Sequence, residues 1–333
     1  MIVLGRFKSF SILLVVFILS CSFKSDLSQF QGKTMGTTYN VKVYDHTFNP
    51  SVEKESIDSL LLYLNSILST YISTSEISLL NKNRSNEEIQ VSKILFENIE
   101  QAYRIYEESL GMYDVTIYPL VELWGFGENK NIDKVPSEKI INMNRKQVGM
   151  NKIQINKENK SIRKLNPLIG IDLSSIAKGY AVDYISNYLT SEGYLNHMVE
   201  IGGEIRCKGL KKGKKWTVAI VDPITKSFVD TLYLTDQSVA TSGNYNNFYN
   251  IRGEIYTHII NPLTGYPIKD TPLSVTVVSN KCSTADGYAT ALMTLGLNGI
   301  NLINNVIETE CMLMIENEGT YNYFFSNNFK NKY

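Results

Sequence analysis

The chain has 333 residues, 43% of them hydrophobic, and its 33 basic and 33 acidic side chains leave no formal net charge. It shows no basic stripe, which argues against nucleic acid as a partner. With an N-terminal leader set aside, roughly 300 residues remain, enough for one large domain or two small ones.

Arg6 and Lys8 precede the apolar run Ile12-Leu13-Leu14-Val15-Val16-Phe17-Ile18-Leu19, and Ser20-Cys21 comes directly after it. A basic start, a short apolar centre and a small residue before a cut site make residues 1–20 a secretory signal. The run is shorter than the ~20 apolar residues that span a bilayer. Ile18-Leu19-Ser20-Cys21 resembles a bacterial lipobox, which implies cleavage before Cys21 and a lipid on its thiol. The plainer alternative is an ordinary signal with an incidental cysteine. Residues 21–31 then read as a polar tether and 32–333 as the folded domain. Cys207, Cys282 and Cys311 lie far apart without metal-ligand spacing, as buried small residues do, although one disulfide stays open.

Thr38–Tyr44 alternates as a strand. Glu53–Leu68 carries Ile57, Leu60, Leu61, Leu64 and Leu68 at helical period. A polar loop leads to Glu76–Asn81, and Val91–Leu110 is a second helix with Gly111 placed to stop it. Pro119 and Trp124-Gly125-Phe126-Gly127 break the mixed stretch from Tyr113 to Gly127 into short pieces. A polar connector holds one short helix after Pro136, and Lys152–Leu165 forms a hairpin turning at 156–159. Ile171–Asp183 is a strand-to-helix corner, and its helix carries Ala177, Ala181, Ile185 and Leu189 on one face up to Gly193. Successive strands run from Met198 to Tyr256, with Lys211-Lys212-Gly213-Lys214-Lys215 as a solvated hairpin tip. Strand Ser274–Val278, a helix from Ala285 to Leu295, strand Cys311–Glu316 and a hairpin close the chain. The fold class is α+β, a mixed sheet with packed helices in one or two lobes. Irregular alternation of helices and strands disfavours a doubly wound nucleotide fold.

Several stretches carry chemistry, each with a plainer reading beside it. The corner at Asp172, Ser174, Ser175 and Lys178 offers an anion the N–H groups of a helix start and a positive charge, unless Ser174 merely caps the helix. Asp286 and Thr290 share a helix face as hard oxygen ligands suited to Mg²⁺, unless the carboxylate only favours the helix start. His258 or His197 would serve as a base near neutral pH, unless structural. Gly202-Gly203 marks a bulge or close backbone approach. Met35 at a glycine turn and Tyr71 could hold a planar ring. Met112, Tyr113 and Asp114 open an aromatic stretch that composition alone assigns to the core.

Taken in order, these stretches resemble the bacterial FAD:protein FMN transferases, the ApbE family, from Met35 to about Gly296. The resemblance rests on Met35-Gly36-Thr37, Ser75-Glu76-Ile77-Ser78 through Asn81, and Tyr113-Asp114-Val115-Thr116 before Pro119. It extends through Trp124–Gly127, Asp172–Asp183, Val199–Glu204, Ala240–Tyr245 and His258–Pro267. It implies cleavage of the FAD pyrophosphate, transfer of FMN to a Thr or Ser hydroxyl of an acceptor through a phosphodiester, and release of AMP. It matches Asp286, Thr290 and the Ser175 carbonyl to Mg²⁺. Met35, Tyr71, Met112, Tyr113, Asp114, Asp172, Lys178 and Ile260 match positions lining FAD, and His258 a proposed base. Ser175, Asn261 and Gly287-Tyr288 depart from the usual alanine, aspartate and Ala-Leu. Tyr71 is the transferase-like choice where an asparagine accompanies FAD hydrolysis. The rival classes are an Mg²⁺-dependent FAD pyrophosphatase and a flavin-binding protein without turnover. No acceptor-like stretch occurs in this chain, so the implied partner is an exported or membrane-bound redox protein, met at the extracytoplasmic side of a bacterial envelope through the lipid anchor.

Overall fold

The computed structural model describes residues 27–127, 134–245, 247–269, 272–317 and 319–332. The signal and Cys21 lie outside these residues. Two strands, β1 (Leu27–Thr34) and β2 (Thr37–Tyr44), open it. Helices α1 (Pro50–Leu68) and α2 (Glu76–Lys82), strand β3 (Glu88–Gln90), and helices α3 (Lys93–Glu108), α4 (Tyr118–Leu123) and α5 (Glu138–Arg145) come next. The hairpin β4 (Ile153–Asn156) and β5 (Ser161–Lys164) precedes α6 (Ala177–Ser191). Then come β6 (His197–Ile201), β7 (Glu204–Lys208), β8 (Trp216–Val221), β9 (Phe228–Leu234), β10 (Gln237–Gly243), β11 (Phe248–Ile251) and β12 (Glu254–Thr257). Strand β13 (Ser274–Ser279), α7 (Cys282–Leu295), α8 (Gly299–Ile303), β14 (Glu310–Asn317), β15 (Thr320–Phe325) and α9 (Phe329–Lys332) end it.

Eight strands form one antiparallel sheet in the order β1-β2-β6-β7-β10-β13-β14-β15. Helices α6 and α7 lie side by side against β6, β7, β10 and β13. The largest core fills this layer and the helices outside it, with smaller clusters around β8–β9 and around α4–α5, so the fold is one unit with two satellites and not two lobes.

Local chemistry explains the elements. Asn49 accepts from Ser51 N with Pro50 in the first turn of α1, while Ile57, Leu61, Leu64 and Leu68 are buried at helical spacing. Ser92 caps α3, and Gly111 at φ +81° ends that helical stretch. The 35–36 and 202–203 turns are two-residue hairpins with both residues at positive φ.

Three expectations need correcting. The segment read as a tether to residue 31 is strand from Leu27 onward, because Leu27–Gln31 pairs with Asn40–Tyr44. No strand leads into the helix after Asp172: Gly170 makes one parallel bridge to Ile117, and α6 starts only at Ala177. Asn81 takes a strand partner's place there, accepting from Ile171 N at 2.7 Å and donating to Ile171 O at 2.8 Å. The last long helix begins at Cys282, three residues before the expected Ala285. The thiols of Cys207, Cys282 and Cys311 are buried and free.

His197 is fully buried on β6, its ring nitrogens bonded to Ser186 Oγ and Tyr194 O, which removes it as a candidate base. Burial pushes it down to about 4. An unfolded histidine near 6.5 binds protons that the folded one refuses between these values, so its contribution is present above 6.5 and lost as pH falls toward 4. Denaturant titrations at pH 7 and pH 5 should therefore show about 2 kcal/mol more acid loss in the wild type than in His197→Gln. Equal losses would remove His197 as the cause.

Candidate functional site

The site is built where α6 meets α7. Gly179 is the contact point: a Cβ there would stand 2.5 Å from the Cys282 carbonyl oxygen and 2.8 Å from Asp286 Cβ. This approach lets Gly179 N donate to Asp286 Oδ2 at 2.9 Å. In return α6 caps α7. Asp183 accepts from Cys282 N at 2.9 Å and from Ser283 N and Oγ at 3.0 and 2.9 Å, in place of the side-chain cap that Lys281 lacks. Ser174 does not cap α6. Its N–H instead donates to Asp172 Oδ1 at 2.8 Å. One amide of the helix start that the sequence offered to an anion is thus already taken by Asp286.

Lys178 stands beside this contact, 2.5 Å from Glu204 Oε1 and 4.0 Å from Asp286 Oδ1. Burial alone would push its ammonium down. The two carboxylates outweigh burial and hold it above the ordinary lysine range. Glu204 is pushed up to about 8 by burial and by the Asp286 charge, against the pull of Lys178. Burial also raises Asp286. Glu204 comes directly after the Gly202-Gly203 turn, which packs so tightly on Thr37 that a Cβ on Gly202 would lie 2.8 Å from its methyl. Its second oxygen, Oε2, is buried without a hydrogen-bond partner among the described residues.

The loop before α4 closes another side. Asp114 accepts from Thr116 N and Oγ1 at 2.8 and 2.5 Å and from Met150 N at 3.2 Å, yet burial outweighs these donors and pushes it up to about 6. Ser175 Oγ donates to the Tyr113 hydroxyl at 2.9 Å, and Thr294 of α7 donates to the Met112 carbonyl at 2.8 Å. The Asp286, Asp172 and Asp114 charges all add to the burial that raises the Tyr113 hydroxyl. Asp172 is itself buried, and burial raises its carboxyl. Met35 sits in the β1–β2 turn at φ +48°, a backbone a methionine adopts only under constraint.

Phe126 joins the remaining candidates. Its carbonyl accepts from Tyr71 Oη at 3.3 Å, and its ring meets His258 edge-on at 6.3 Å. Tyr71 is 55% exposed, an aromatic face left to solvent. His258 lies just after β12, and Ile260 is buried against the α4–α5 cluster. The Asn247 carbonyl accepts from His258 N and lies 3.1 Å from Nδ1, so Nδ1 carries the ring proton and Nε2 is the free acceptor. Burial lowers the imidazole, and the Lys178 charge adds to it.

Asp286 Oδ1 stays outside hydrogen-bond distance of Lys178, and Thr290 lies one turn further along α7 with Oγ1 3.5 Å from Ser242 Oγ. A carboxylate, a hydroxyl and the Ser175 carbonyl are hard oxygen donors that fit Mg²⁺ with most of its coordination left to water or phosphate. No group of three His, Cys, Asp or Glu gathers among the described residues, so such a metal would rest on few protein ligands. Sequence reasoning missed Glu204 and Gly179 as site residues. Their signals were a charged residue directly after a glycine pair, and a glycine inside a helix.

Gly287 has a packing reason: a Cβ there would lie 2.4 Å from Ile105 Cδ1, while the next residue, Tyr288, donates to Glu108 of α3. The two helix glycines therefore differ. Gly179→Ala meets backbone and should cost about 1–3 kcal/mol or more. Gly287→Ala meets only a side-chain tip and gains up to ~1 kcal/mol of helix propensity, so its stability should stay within about 1 kcal/mol of wild type. Denaturation curves of both variants check this.

Comparison with known proteins identifies the family. The ApbE family profile matches residues 35–313. A FAD:protein FMN transferase of Vibrio cholerae is 36% identical over 321 residues, covering 95% of this chain and 96% of the relative. That of Haemophilus influenzae is 38% identical over 287 residues, 83% of each chain. The solved flavin transferase ApbE from Vibrio cholerae superposes with a TM-score of 0.84 at 36% identity, over 92% of this chain and all of that one. The apo flavinyl transferase ApbE of Pseudomonas stutzeri superposes with a TM-score of 0.84 at 29% identity, over 92% and 96%. With a profile match across most of its length and relatives this close over nearly their whole chains, the protein belongs to the ApbE family.

Proposed function

We propose that this chain transfers FMN from FAD to a Ser or Thr hydroxyl of a separate redox protein, from a lipid-anchored position at the extracytoplasmic face of a bacterial membrane. The observation that carries the reading is the Lys178–Glu204–Asp286 cluster at the α6–α7 contact, with Ser175 in the turn before α6 and Thr290 on α7. In the transfer, the acceptor oxygen bonds to the FMN phosphorus. The pyrophosphate P–O bond breaks, and AMP leaves with that electron pair. The hydroxyl proton passes to a base.

Asp286, Thr290 and the Ser175 carbonyl would hold Mg²⁺, which supplies positive charge to the pyrophosphate oxygens. Lys178 adds a permanent charge beside the same phosphates, since its carboxylate neighbours keep it protonated. Tyr71, Met35, Met112, Tyr113 and Ile260 offer the apolar and aromatic surfaces against which a flavin or adenine ring packs. Asp114 and Asp172 brace the loops that carry these surfaces. His258 is the base. Its Nε2 is unprotonated at neutral pH because burial holds the ring below the usual histidine value.

Incubating the chain with FAD, Mg²⁺ and a Thr-bearing acceptor domain should leave covalent flavin fluorescence on the acceptor in a denaturing gel. Free FMN with an unlabelled acceptor would make it a pyrophosphatase instead. In the same assay His258→Ala should slow transfer by about 10²–10⁴-fold while FAD titration changes little. The wild-type rate should fall on the acid side of pH 6.5, as the folded imidazole gains its proton. A mutant that binds FAD tenfold more weakly yet transfers normally at saturation would make His258 a binding residue.

The anchor has its own check. Mass spectrometry of the membrane-associated protein should find a mature N-terminus at lipid-bearing Cys21, and Cys21→Ala should abolish the modification. An unmodified Cys21 in membrane-associated protein would refute it.

A further inference from the structure

The register of the main sheet gives the molecule two distinct ends. At one end lie the 35–36 and 202–203 turns, with Glu204 and Lys178 beside them. The opposite end is marked by the row Ser28–Val43–His197–Lys208, one residue from each of four neighbouring strands. The chain enters β1 at this second end.

The lysine tip is at this same end. Leu27 pairs with Tyr44, Tyr44 N donates to the Asn196 carbonyl, and the Asn196 side chain accepts from Leu210 N at 2.8 Å. Lys211 and Lys214 then close the hairpin tip. Lys212, Lys214 and Lys215 are exposed, and Lys211 is half-exposed with Nζ 6.0 Å above the Trp216 ring. Asp236, which accepts from Gly209 N, pairs with Lys208 at 3.0 Å, and Asp45 accepts from Thr47 N. Leu195, 58% exposed, and Leu210 flank the tip.

We infer that Lys211, Lys212, Lys214 and Lys215 form a docking surface for anionic lipid headgroups, which seats the anchored protein with its active-site turns pointing away from the bilayer. The inference rests on the proposed lipid at Cys21. Six residues from Cys21 to Leu27 reach at most about 20 Å, so an anchored chain holds this end of the sheet against the headgroups. Charge complementarity then selects the anionic ones, each lysine near such a surface adding about fivefold to its occupancy at low salt. Strand β2, eight residues long, sets the active-site end roughly 23 Å further out.

The test uses the full lipidated protein in vesicles of phosphatidylcholine alone or with about one-third phosphatidylglycerol. An amine-acylating reagent is added, and each lysine is read by mass spectrometry. The four tip lysines should react at least about fivefold more slowly on the anionic vesicles, and the difference should vanish at high salt. Lys33, at the opposite end of the sheet, should not change. Equal labelling of the tip on both vesicle types, in protein that floats and carries lipid on Cys21, overturns the docking surface and leaves the anchor standing. Protein that neither floats nor carries that lipid overturns the anchor and the surface together.

Discussion

The site depends on α6 and α7 touching at Gly179. No side chain separates the helices there, so one backbone amide reaches the buried Asp286 carboxylate while Asp183 caps α7 in the other direction. The two bonds run opposite ways across the same interface. Sliding or splaying either helix breaks both, and leaves a buried carboxylate and an uncapped helix start, each of which costs stability. The helix pair is thereby a fixed frame on which Lys178, Ser175 and Thr290 take their positions.

Charge is packed into that frame against the ordinary tendency of folding. Lys178 lies against two buried carboxyl groups, and Glu204 Oε2 has no hydrogen-bond partner among the described residues. Such an arrangement is weak as a source of stability, because desolvating three ionic groups offsets most of their attraction. Its value lies in the field it creates. In the proposed transfer the Lys178 cation would face the phosphates, and the buried Asp286 carboxylate would favour a divalent ion. Buried ionisable groups with displaced proton affinities gather where chemistry is done.

Much of this was legible in the chain. Helical periodicity located α1, α3 and the body of α6, because those faces are buried in the main core. Glycine and proline turns placed the β-hairpins. The chemistry-bearing residues stood out once their order was taken together, and Asp172, Lys178, Ser175, Tyr113 and Asp286 do share one region. What remained hidden was non-local. Asn81 replaces a strand at Ile171 from 90 residues away, a pairing no window of sequence contains. Leu27–Gln31 looks like a polar tether because a strand at the sheet's edge can leave one face to water. Glu204 and His197 could not be sorted into site and structure by residue type. Only the neighbours that the sheet order brings to each, Lys178 for one and Ser186 for the other, decide it.

The free thiols carry a consequence for where such a protein can work. Cys207, Cys282 and Cys311 are sealed in the interior, and burial pushes the first and last up to about 12, far from the thiolate form that oxidants attack. No crosslink among the described residues holds the fold, so its assembly needs no thiol-oxidising catalyst, and its integrity does not track the redox poise of its surroundings. A fold of this kind keeps its shape equally in aerated or anoxic surroundings.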